Sequence, residues 1–163
     1  MKVRIALVPL LLLALAAVAG AQTKISGTTV CAKPDQQSFE VADHPGRVLS
    51  LSQSRCTWSK PMEMAGSETK QDVVTISVGI RGNKGHTHGY AVSTLASGDK
   101  FVARLDGTAT LQDGVVSTDN GKWTLMGGTG KLKGATGGGT YTGKGGPEGV
   151  TFEVEGEYRL PAK

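Results

Sequence analysis

The residues that first invite a chemical reading are Gly85-His86-Thr87-His88-Gly89-Tyr90. Two imidazoles two positions apart point to one side of an extended strand, where they can chelate a metal together. Tyr90 and Val92 share their parity. If that parity is the apolar one, His86, His88 and Tyr90 line the inside of a sheet. If Ala91 and Leu95 mark the inside, the histidines face solvent. A two-histidine metal site lacks a third protein ligand; His44, Asp43 and Glu63 are candidates, but nothing in the sequence brings them nearby. No metal and no other cofactor is therefore expected, and His86 with His88 is the weak candidate ligand pair. The two tryptophans, Trp58 and Trp123, offer flat faces that either stack on a ligand or pack in a small core. Together, His86, His88, Tyr90, Trp58 and Trp123 form the candidate ligand-binding set.

Other chemistries fail on spacing. The stretch from Gly127 to Gly137 suggests a phosphate loop, but a dinucleotide fingerprint needs G-x-G-x-x-G between a strand and a helix. From Gly128 the spacing is G-x-G-x-x-x-G, and no helical pattern follows. From Gly138 a G-x-x-x-x-G-K pattern reaches Gly143 and Lys144, yet Gly145 stands where a magnesium-binding hydroxyl is required. No G-x-S-x-G elbow presents a serine nucleophile. Glu153, Glu155 and Glu157 alternate along one strand face and read as a solvated row rather than an acid/base pair. The net charge of +4 includes Lys2 and Arg4 of the leader described below. The remaining bias is small and scattered, which argues against a nucleic-acid partner.

The first residues read as an export signal, with Lys2 and Arg4 as a positive start, Ile5 to Val18 as an apolar core and Ala19-Gly20-Ala21 as a small-residue cleavage site. Residues 1–21 are then a signal peptide and 22–163 one domain, secreted or periplasmic after cleavage near Ala21. The apolar run is shorter than the roughly 20 residues that span a bilayer, so no membrane anchor is expected. Two cysteines, Cys31 and Cys56, suit an oxidising compartment and are expected to pair, since their spacing is wrong for a zinc knuckle.

Period-two alternation sets the elements that must carry these residues. Phe152, Val154, Tyr158 and Leu160 share one parity against Glu153, Glu155, Glu157 and Arg159. Val74, Ile76, Val78 and Ile80 oppose Thr75 and Ser77, and Phe101, Ala103 and Leu105 oppose Arg104 and Asp106. Further strands are expected near 24–30, 46–57, 87–95, 107–112, 122–126 and 138–142, and adjacent short ones can merge. Turn signals fall at 81–85, 97–99, Asp113-Gly114, Asp119-Asn120-Gly121 and 145–147. Only Pro61 to Lys70 leaves room for a short helix or a long loop. The chain holds 24 glycines, dense between Gly127 and Gly149, where they permit the bends and close approaches that shut a small barrel. The fold class is all-β: a single antiparallel, glycine-rich barrel of about eight strands.

Trp123 followed by GGTGKLKGATGGGTY resembles the strand-and-turn signature of the allene oxide cyclase and dirigent-like barrels and their bacterial secreted relatives. The likeness covers about 20 residues, with weaker support through the last 70 or so; residues 22–64 match nothing nameable. It implies an eight-stranded, calycin-like barrel, often trimeric, with an apolar cavity. It carries over no active-site residue. The leading functional expectation is a cavity that binds a small apolar or amphipathic molecule without catalysis. An isomerase or cyclase of the allene oxide cyclase type is the alternative, and a non-catalytic structural or surface-interaction protein is the third.

Overall fold

A computed structural model describes residues 22–162. The export signal expected at residues 1–21 lies outside the described residues. The strands are β1 (Thr23–Ala32), β2 (Asp35–Glu40), β3 (Arg47–Lys60), β4 (Glu63–Met64), β5 (Ser67–Arg81), β6 (Lys84–Leu95), β7 (Lys100–Gln112), β8 (Val115–Gly128), β9 (Thr136–Gly146) and β10 (Gly149–Arg159), with a 3-10 turn at Gly130–Leu132. From β5 to β10 they form a meander of antiparallel hairpins. β1 then pairs with β10, and β3 pairs with both β1 and β5, closing an eight-stranded barrel. The strand runs read from the sequence merge into longer strands, as at 107–112, which continues the strand that begins at Lys100.

β1 and β2 lie end to end along the same edge of β3, with Lys33-Pro34 between them. Proline has no N–H to offer a ladder, so the chain leaves the wall there. β2 is exposed throughout, and among the described residues its outer edge has no partner strand. It is short, with Asp35 and Glu40 at its ends, features that discourage edge-to-edge association. Cys31 and Cys56 stand opposite each other across β1 and β3 and form a disulfide.

One end of the barrel is plugged. Met62, Met64, Leu95, Phe101, Leu132 and Tyr158 are buried there in one apolar cluster. Each such side chain taken out of water contributes about 2 kcal/mol. The expectation of a helix or long loop at Pro61 to Lys70 is corrected: the segment is a tight hairpin of β4 and β5. Ala65 and Gly66 both take positive φ, the conformation a two-residue hairpin turn requires. Its two methionines enter the plug, and Ala65 N–H donates to the Tyr158 hydroxyl at 2.8 Å.

The turn expected at Asp119-Asn120-Gly121 is likewise corrected. These residues lie within β8, and Asp119 points inward and is buried, held by Thr87 of β6 and Tyr141 of the adjacent β9. The glycines of β9 and β10 act by close approach. A Cβ on Gly156 would lie 2.5 Å from the Trp123 ring and 2.4 Å from the Gly138 carbonyl, so only hydrogen fits beneath the indole.

Candidate ligand cavity

On β6 every second residue from Gly85 to Leu95 is buried. Leu95 is 2% exposed in the plug, and its burial fixes the parity of the whole strand. The inner positions are therefore Gly85, Thr87, Gly89, Ala91, Ser93 and Leu95. His86, His88 and Tyr90 stand on the outer face, which is the solvent-facing one of the two alternatives left open by the sequence. Tyr90 is 47% exposed, and the side chain of His88 is 57% exposed. His88 Nδ1 lies 2.6 Å from Asp106 Oδ1, while Arg104 Nε donates to Asp106 Oδ2 at 3.0 Å. The His88 hydrogen bond, with Arg104 beside it, holds the Asp106 carboxyl below its usual range. Among the described residues no group of three or more His, Cys, Asp or Glu side chains is arranged to hold a metal ion.

The small side chains of the inner face of β6 leave space in the barrel. A cavity of about 70 Å³ lies inside, with both Trp58 and Trp123 in its wall together with Phe101, Phe152, Val74 and Leu105. That is room for roughly five waters or one small ring. Trp123 is tied down, its Nε1–H donating to the Glu155 carbonyl at 3.0 Å. Trp58 Nε1–H instead donates to a side chain, Asp72 Oδ1, at 2.9 Å.

Asp72 and Asp119 are the polar groups that sequence reasoning missed. Asp72 is 5% exposed and Asp119 is 4% exposed, and both line the cavity. Burial pushes the Asp72 carboxyl up to about 6, against the lowering effect of hydrogen bonds from Trp58 and Ser93. Burial also raises Asp119, partly offset by Thr87 and Tyr141. Thr87 Oγ1 donates to Asp119 Oδ1 at 3.2 Å and the Tyr141 hydroxyl donates to the same oxygen at 3.5 Å. Burial and the nearby Asp119 charge keep Tyr141 protonated far above its ordinary range. A Cβ on Gly107 would lie 2.2 Å from that hydroxyl, so glycine there keeps the path to Asp119 open. The sequence did carry a signal for Asp72, which shares the parity of Val74, Ile76, Val78 and Ile80. For Asp119 the turn-like neighbours Asn120-Gly121 masked it.

No protein-family model matches the chain, and no curated protein matches it in sequence. Solved structures do resemble it. A conserved protein of unknown function, RPA1785 from Rhodopseudomonas palustris, superposes with a TM-score of 0.54 at 11% identity, covering 84% of this chain and 98% of that one. The pterocarpan synthase dirigent protein GePTS1 superposes with a TM-score of 0.50 at 10% identity, covering 99% of this chain and all of that one (100%). A pyocyanin demethylase gives a TM-score of 0.48 at 12% identity over 83% of this chain and 99% of that one. The first two likenesses show a shared barrel fold, one of them with a dirigent protein.

Proposed function

We propose that the barrel binds one small, partly apolar molecule in its interior cavity, against the carboxyl of Asp72. The observation that carries this reading is the pairing of an apolar, indole-walled cavity with a buried acid that makes its bond to one of those indoles. Ligand sites of this kind are mostly apolar, with a few placed polar groups that fix orientation. Trp58 and Trp123 are thus the binding residues retained from the sequence, and Asp72 and Asp119 join them. His86, His88 and Tyr90 stand outside it. The chain is proposed to work outside the cytoplasm, a reading supported by the leader pattern at 1–21 and compatible with the Cys31–Cys56 disulfide.

Because the chain has only two tryptophans and both line the cavity, its intrinsic fluorescence reports on occupancy. Titration with single-ring compounds should quench or shift that emission saturably, and native mass spectrometry should find one molecule per chain. Unchanged emission across a panel of such compounds would remove the binding reading.

One observation favours a second reading, an isomerase or cyclase of the kind that the resemblance of the segment from Trp123 to Tyr141 suggests. A carboxyl raised to about 6 in an apolar cavity can take up and return a proton near neutral pH. If the barrel turns over its ligand in this way, Asp72→Asn keeps binding and loses turnover; an Asn variant with undiminished turnover would exclude Asp72 as the acid or base.

A further inference from the structure

We infer that the molecule this cavity takes is a small organic cation, an ammonium group carried on a single ring, with the carboxylates of Asp72 and Asp119 as its counter-charge. The inference rests on the binding reading above and narrows it to one chemical class. Among the described residues, none of those lining the cavity is Lys, Arg or His. Two acids therefore share an apolar enclosure with no basic side chain to balance them. Trp58, Ser93, Thr87 and Tyr141 supply only neutral hydrogen bonds to them.

The geometry at Asp119 is the independent pointer. Both of its bonds end on the same oxygen, Oδ1, although the side chain is 4% exposed and lines the cavity. A carboxylate accepts at two oxygens, and Oδ2 has no protein donor among the described residues. The cavity contains no buried side-chain polar atom that is both sealed from space and unpaired. Oδ2 accordingly keeps an open aspect, which a bound donor can fill. The rings of Trp58, Trp123, Phe101, Phe152 and Tyr141 line the same cavity, and a cation lying over an aromatic face is attracted by the ring quadrupole. An anion would meet two like charges in a low-dielectric enclosure. A neutral ring would leave the cost of a buried carboxylate unrelieved once Asp72 is ionised.

The test uses the oxidised wild-type chain and three probes of matched shape: benzylammonium, benzyl alcohol and benzoate. Each is titrated against tryptophan emission at about pH 8, above the range in which Asp72 titrates. Benzylammonium should bind at least about tenfold more tightly than benzyl alcohol, the scale of one charge-assisted hydrogen bond, and benzoate should not bind. In Asp72→Asn and Asp119→Asn the preference for benzylammonium over benzyl alcohol should shrink. Circular dichroism establishes that each variant is folded, and if one is not, the other variant and the wild-type comparison decide. Equal binding of the ammonium and the alcohol, or tighter binding of benzoate, overturns the cation and leaves the cavity reading standing. Silence from all three probes overturns both.

Discussion

Asp72 reaches about 6 because burial outweighs the hydrogen bonds from Trp58 and Ser93, and the shift has a direction for stability. Between the ordinary carboxyl value of 3.8 and about 6, the folded chain holds a proton that the unfolded chain has released. Folding is thus favoured by this group at the acid end of that window. The advantage is lost as pH rises through it, and above it the full cost of a buried carboxylate is present, about 3 kcal/mol. Asp72→Asn cannot titrate. Urea unfolding of wild type and variant from pH 4 to 7 should show the wild type losing ground to the variant as pH rises, and a constant difference would show that Asp72 titrates normally. The opposite expectation attaches to His88. Its imidazole and the Asp106 carboxyl meet on the outer surface, where ion pairs contribute little. His88→Ala should leave both the thermal unfolding midpoint and the tryptophan response to ring compounds unchanged; a lost response would return the outer face of β6 to the site.

At the scale of the strand, what matters is which side chains the pleat turns inward and how closely backbones approach. Gly156 on β10 lies under the Trp123 ring and against the Gly138 carbonyl, so Gly156→Ala must move an indole or a backbone. Such overpacking costs on the order of 1–3 kcal/mol, and because Trp123 lines the cavity, its emission should shift with the loss of stability. Differential scanning calorimetry and emission spectra of the variant check both. The alternation on β5, β7 and β10 was legible in the sequence because large apolar residues mark one parity. β6 was ambiguous for a physical reason: its inner face is small residues, Gly85, Thr87, Gly89, Ala91 and Ser93, while its outer face carries bulky Tyr90 and Val92. Size points one way and burial the other, and Leu95 alone anchors the parity. β2 escaped notice because DQQSFE buries nothing and carries no alternation. The two acids escaped because a carboxylate on an apolar face is legible only once that face is known to enclose space.

Across the whole molecule, the barrel is closed by joints of unequal strength. β5 pairs with β6, and β9 with β10, along nearly their whole lengths, whereas β1 and β3 meet over only Thr28 to Cys31 on one strand and Cys56 to Lys60 on the other, with a register shift inside that span. This seam joins the N-terminal strand, and β10 behind it, to the rest of the wall. The Cys31–Cys56 disulfide sits at its end, bridging residues 25 apart in sequence. Closing a loop of that length restricts the unfolded chain by roughly 3 kcal/mol in the entropy model. Its position adds a local consequence, because opening of the seam must also strain the bond that staples it. Local openings draw on the least stable joint first. Hydrogen exchange on the native protein, before and after reduction under conditions that leave it folded, should therefore show a regional effect. Amides of Thr29 to Cys31 and Cys56 to Trp58 should lose protection most, while those of the β7–β8 pair, on the far side of the barrel, should change only as far as global stability falls. An even loss of protection around the whole wall would mean that the disulfide acts through the unfolded chain alone and that the barrel has no weak seam.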